Sequence, residues 1–213
     1  GINITIPKDA LTKNGKQIEG AITVEIREMM TPSAIILSGT NTNYAGTLFG
    51  QKSYFISDGF FHIDIKQNGE SIDQHLANGK FLSITIPFAD ENRWNTQIWE
   101  GSETIDKNQF GWIDPNLDDI GDNENTDRQE NWIWKGNDGF QFGFGKLGWC
   151  NCDIFWGDAE KTTMKVTLTG NVGELASFMG GSGDTFIYFL GKGYRTVAQL
   201  YTKVGDNTVA SYD

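Results

Sequence analysis

The feature that most constrains this chain is a succession of short apolar runs of period two, cut by Asn-Gly and Asp-Gly pairs. Ile22, Val24 and Ile26 alternate with Thr23, Glu25 and Arg27. Leu82, Ile84 and Ile86 alternate with Ser83 and Thr85, and Met164, Val166 and Leu168 with Lys165 and Thr167. Period two sends successive side chains to opposite faces of a strand, so each run offers one face to a core. Asn14-Gly15, Asp58-Gly59, Asn68-Gly69 and Asn78-Gly79 read as turns, because these residues enter the left-handed backbone region that tight hairpins require. The chain holds 26 glycines and only four prolines, which suits many strands joined by tight turns. No amphipathic stretch of ordinary helical length, about 11 residues, interrupts the pattern. The expected fold is all-β, with two β-sandwich-like subdomains packed together.

The densest apolar and aromatic run, Lys146 to Trp156, holds both cysteines and two of the seven tryptophans. It separates one set of expected hairpins from a second. Residues 114–130 are rich in Asp, Asn and Glu and poor in apolar side chains, so they read as a long acidic loop. The expected division is residues 1–113 as an N-terminal sandwich, 114–139 as the connection and 140–213 as a smaller C-terminal sandwich. Within the first part, residues 53–56 and 60–66 read as two strands around Asp58-Gly59. Residues 38–46 read as a polar loop, residues 7–11 as a short helical turn, and Thr31-Pro32 as the start of a brief helix.

A net charge of −11 and a pI near 4.6 repel phosphate backbones and anionic membrane surfaces, so no nucleic-acid partner is expected. No apolar segment reaches the roughly 20 residues that a spanning helix needs, so no direct membrane insertion is expected. The start at Gly1, immediately before a strand, fits a chain trimmed of its leader.

Catalytic candidates are few. The two histidines, His62 and His75, are not placed near a nucleophile by any motif, and the nucleophile elbow Gly-x-Ser-x-Gly is absent. Gly181-Ser182-Gly183 reads as a loop. No catalytic residue is assigned. Cys150 and Cys152 lie two apart on a strand and share a face. A disulfide between them would be strained, and they read as buried, hydrophobe-like thiols. No resident cofactor is expected beyond calcium: Asp114, Asn116, Asp118, Asp119 and Asp122, with Glu124 and Asp127 near Gly121, offer hard oxygen ligands of the kind Ca²⁺ takes. The competing reading is a solvated acidic loop. Trp132 and Trp134 share one strand face and are the ligand-binding candidates, because indole faces stack on sugar rings. The competing reading is that the tryptophans fill the core.

Several segments carry a resemblance. Residues 2–11 and 22–28, with Ile36-Leu37-Ser38-Gly39, Ile65-Lys66-Gln67-Asn68-Gly69 and Gly148-Trp149-Cys150-Asn151-Cys152-Asp153, resemble the ZU5-like β-sandwich region of Bacteroidetes surface proteins and lipoproteins. Some ZU5-type domains cut themselves at a His-Phe-Ser step. The comparable segment here is Phe61-His62-Ile63-Asp64, without the serine, so self-cleavage does not carry over. The resemblance implies an extracytoplasmic protein at the cell surface or outer membrane. The expected function is that of a non-enzymatic module for adhesion, assembly or display, with another surface protein or a glycan as partner. The alternative is a carbohydrate-binding module that uses exposed tryptophans.

Overall fold

The computed structural model describes residues 1–44, 54–88, 96–102, 111–113, 133–155, 163–175, 183–200 and 202–211. The chain is all-β and sandwich-like, with antiparallel sheets and one short helix among the described residues. In order, the strands are β1 (Asn3–Thr5), β2 (Thr12–Lys13), β3 (Lys16–Gln17) and β4 (Thr23–Met29), followed by helix α1 (Pro32–Leu37). Then come β5 (Phe55–Gln67), β6 (Glu70–Ser71), β7 (Leu82–Ile86), β8 (Gln97–Ser102), β9 (Gly111–Ile113), β10 (Ile133–Lys135), β11 (Phe140–Phe144) and β12 (Gly148–Phe155). The last five are β13 (Lys165–Thr167), β14 (Ile187–Leu190), β15 (Val197–Leu200), β16 (Thr202–Gly205) and β17 (Thr208–Ala210).

Two compact units are interleaved along the chain. The first is Gly1–Met29, Asp58–Glu100 and Asp114–Cys152; the second is Met30–Ser57, Gly101–Ile113 and Asp153–Asp213. The consecutive division at 1–113, 114–139 and 140–213 does not follow this pattern. Pairing is the reason: β11 lies against β7 and β12 lies beside β5 in one sheet, so partners in space are distant in sequence.

The first unit carries a four-stranded sheet in the order β1-β7-β11-β10. Its inner face holds Leu82, Ile84, Ile86, Phe140, Phe142 and Phe144, all buried. A second sheet runs β4-β5-β12-β8, with β6 on β5. Phe61, Ile63 and Ile65 fill one face of β5 and are fully buried. Asn14 and Gly15 turn β2 into β3 with φ values of 53° and 72°, and Asn68 and Gly69 turn β5 into β6 with 56° and 83°. Both pairs thus adopt the left-handed hairpin conformation expected of them.

Asp58-Gly59 does not turn the chain. Both residues lie inside the 13-residue β5, so residues 53–56 and 60–66 do not form two strands of a hairpin. Asp58 is fully buried, and its carboxylate accepts from the Thr96 hydroxyl at 3.3 Å. Gly59 has φ of 120°, well away from the hairpin-turn value and open to glycine. Residues 7–11 also differ from expectation: they form a turn without helix. Helix α1 does begin at Pro32, with Thr31 as its N-cap accepting from the Ala34 N–H at 3.2 Å.

The β2–β3 turn is clamped from outside. The Asp73 carboxylate accepts from the Gly15 and Asn14 N–H groups, each at 2.8 Å, and from the Thr12 hydroxyl at 2.7 Å. These bonds, the one from Gly15 foremost, hold the Asp73 carboxyl below its ordinary pKa. A depressed folded-state pKa gives stability that is fully present above the unfolded value and lost as pH falls through the folded one. Asp73→Asn is therefore expected to lower the urea midpoint at neutral pH. The gap from wild type should close as pH drops below about 3.9, as followed by paired urea titrations.

In the second unit, Leu175, Leu200 and Val209 form a buried cluster with Val166, Leu168, Ile187 and Phe189 packed on it. Met164, which shares their alternation, is 37% exposed; it precedes the paired stretch of β13. Residues Thr40 to Asn43 lie outside helix and strand, as a polar loop should, but they are buried. Thr42 bonds the backbone of Val197 through both its own N–H and its hydroxyl. Asn43 donates to the Gln199 carbonyl at 3.2 Å and accepts from the Gln199 N–H at 3.0 Å. Side chains thus supply bonds that a strand ladder would, which satisfies buried backbone groups along β15.

Candidate contact surfaces

Three places in the first unit gather chemistry: a polar interior, the outer face of the β1-β7-β11-β10 sheet, and the β4 edge. In the interior, the Lys146 ammonium lies 3.0 Å from a Glu100 carboxylate oxygen, with side chains only 7% and 10% exposed. Cys150 and Cys152 are fully buried on β12. The His62 ring is half-buried on β5, its centroid 4.8 Å from that of Trp149. His75 is exposed and pairs by its backbone with Lys146. These groups are the ingredients of a packed, ion-paired core. Among the described residues no three His, Cys, Asp or Glu side chains gather as metal ligands. The calcium candidates Asp114, Asn116, Asp118, Asp119 and Asp122 lie outside the described residues.

The tryptophans divide by environment. Trp99 and Trp112 are buried, the latter donating its indole N–H to the Asn41 carbonyl at 2.6 Å. Trp134 is 52% exposed; its companion Trp132 lies outside the described residues. Register places Trp134 opposite Gln141, Gln141 opposite Thr85, and Thr85 opposite Asn3. One row therefore crosses four strands, about 14 Å at ordinary strand spacing. It begins with an indole and continues as amide, hydroxyl and amide. Gln141 lies along the Gly136 backbone, its amide nitrogen 2.7 Å from where a Gly136 Cβ would stand. Such a row offers a stacking face and both donors and acceptors.

The β4 edge carries charge at Glu25, Arg27 and Glu28 and an apolar stretch on one face. Val24 and Ile26 face the same side as their partners Ile65 and Ile63, which are fully buried. Yet β4 is the last strand of its sheet, and Ile22, Val24 and Ile26 stay 37%, 41% and 46% exposed. Beside Ile22 lies a hollow of mixed lining, with Ile6, Pro7, Leu11 and Ile18 alongside Asp9 and Gln17. On the other face, Glu25 accepts from Lys66 at 2.8 Å, and Asp64 lies 3.3 Å from the same ammonium. The hydrogen bond to Glu25, then that to Asp64, holds the Lys66 pKa above its ordinary value. Sequence periodicity finds the shared face of Ile22, Val24 and Ile26. It does not reveal that β4 ends its sheet, because pairing order is set by distant segments.

Among the described residues no helix is long and apolar enough to cross a membrane. Comparison with protein-family models, with curated proteins and with solved structures finds no match for this chain.

Proposed function

We propose that this chain is a non-enzymatic, extracytoplasmic β-module of a bacterial surface protein, serving adhesion, assembly or display through sheet-edge contact. The observation that carries the reading is the β4 margin, where three branched side chains on the core-facing side remain 37–46% exposed at the end of a sheet. Proteins ordinarily blunt such edges with charge, proline or a covering segment, since open backbone groups recruit further strands. Added strands take their affinity from main-chain bonds and their selectivity from alternate side chains. The resemblance of residues 2–11 and 22–28 to ZU5-like surface proteins supports the location. Beads coated with the chain should be retained on coats of fibrinogen, fibronectin, collagen or the chain itself. Ile26→Lys should cut retention about tenfold or more, since it sets a charge on the apolar stretch of that edge. Equal retention of the variant would remove the edge from the account.

A second reading is glycan binding, favoured by the Trp134–Gln141–Thr85–Asn3 row. Trp134→Ala should then abolish retardation of the protein in polysaccharide gels, a loss of about 1–3 kcal/mol by analogy with stacking on other ring systems. Unretarded wild-type protein across cellulosic, xylan and mannan gels would end this reading.

A further inference from the structure

We propose that the partner of β4 is β4 of a second copy, joined antiparallel about a twofold axis at Ile26. The proposal rests on the reading of this edge as a contact surface and names its occupant. Charge sets the register. With Ile26 facing Ile26, Glu25 of each copy stands opposite Arg27 of the other, so the seam carries two opposite-charge pairs. Sliding one strand by two residues places Glu25 against Glu25 or Arg27 against Arg27, and like charges directly opposite are destabilising. Sliding by one residue sets the apolar row against the charged one.

The apolar face gains from the same arrangement. Val24 and Ile26 continue a buried row from Ile65 and Ile63; the second copy covers Ile26 with its own Ile26, while the aliphatic stem of its Glu28 stands opposite Val24. Glu28, on the same face, is already engaged, accepting from the Ile2 N–H at 2.7 Å. Glu25 keeps its Lys66 bond while its outer side meets Arg27 of the second copy. The twofold makes the contact isologous and closed, so it yields dimers rather than fibres. One strand pair is smaller than a standard interface of roughly 1,600 Å², so the dimer should be weak and depend on concentration.

Sedimentation of the whole chain over a concentration series tests this. Wild type should pass from monomer to dimer as concentration rises through the micromolar range, on the order of 10–1000 µM for so small an interface. Ile26→Lys should stay monomeric. Arg27→Glu and Glu25→Arg, each alone, should weaken dimerisation about tenfold or more, and mixing the two variants should restore a heterodimer, because both cross pairs are then opposite in charge. A wild-type chain that remains monomeric throughout, a dimer indifferent to Ile26→Lys, or a mixture that fails to recover would overturn the proposal. Monomers that still show Ile26-dependent retention on matrix coats would refute self-pairing and leave the edge as a contact surface. Loss of both would refute the two together.

Discussion

Replacing Lys146 with methionine is expected to destabilise the first unit by roughly 3–5 kcal/mol, the cost of stranding one member of a buried ion pair. The pair is nearly sealed from water, with Lys146 7% and Glu100 10% exposed at 3.0 Å. Removing the ammonium leaves the Glu100 carboxylate buried without that partner. Desolvation of an unbalanced charge then dominates over the small gain from a more apolar side chain. The double variant Lys146→Met, Glu100→Leu should recover most of the loss, since an apolar pair of similar volume costs little or stabilises. Urea unfolding of the two single variants and the double gives the coupling directly. A Lys146→Met midpoint equal to wild type would show that the pair is not dry.

Gly139→Ala is the second large effect, about 3 kcal/mol, at the upper end of ordinary overpacking. A Cβ at Gly139 would overlap the Ile86 carbonyl oxygen and lie 2.8 Å from its carbonyl carbon and 3.1 Å from Pro87 Cα. All three are backbone atoms of β7 and the residue that follows it, and the β7–β11 pairing of Ile86 with Phe140 holds them in place. Gly136, in the same turn, is the control. There an added Cβ meets the far end of the Gln141 side chain, which can rotate away, and lies 3.3 Å from the Gly139 carbonyl oxygen, a contact that a shift of a few tenths of an ångström relieves. Gly136→Ala should therefore cost well under about 1 kcal/mol, the scale of a rotamer adjustment. Equal losses at the two positions would point to backbone entropy rather than contact. The Gly136 N–H donates to the Gly139 carbonyl at 2.9 Å, so both variants report on one turn.

Much of the fold is legible in the residues themselves. The alternation Leu82, Ile84, Ile86 gives a fully buried face. Asn14-Gly15 and Asn68-Gly69 turn as their local chemistry dictates, because little else competes at exposed tips. Asp58-Gly59 has the same chemistry and a different outcome. Its carboxylate is buried and bonded to Thr96, and β5 runs straight through. Local propensity there yields to a partner 38 residues away. The polar stretch Thr40 to Asn43 is loop, as its composition indicates, but its burial is hidden for a related reason. The Thr42 and Asn43 side chains are spent on β15 backbone groups, and composition does not distinguish such bonding from solvation. The interleaving of the two units is equally hidden, since it depends on which strands pair.

The candidate surfaces were legible in part. Trp134 was singled out and is exposed; the row of Gln141, Thr85 and Asn3 beside it needs the register of four strands. The shared face of Ile22, Val24 and Ile26 was read from alternation, while its exposure follows from the place of β4 at the end of its sheet.

Residue-resolved hydrogen exchange along Thr23–Met29 tests most directly whether β4 is an open and usable edge. In dilute protein, alternate β4 amides should be protected by β5 and those between them should exchange rapidly. At high concentration the second set should slow as a second strand pairs with it. Uniform protection of all β4 amides in the dilute chain, or rapid exchange of the outward set at every concentration, would contradict the account.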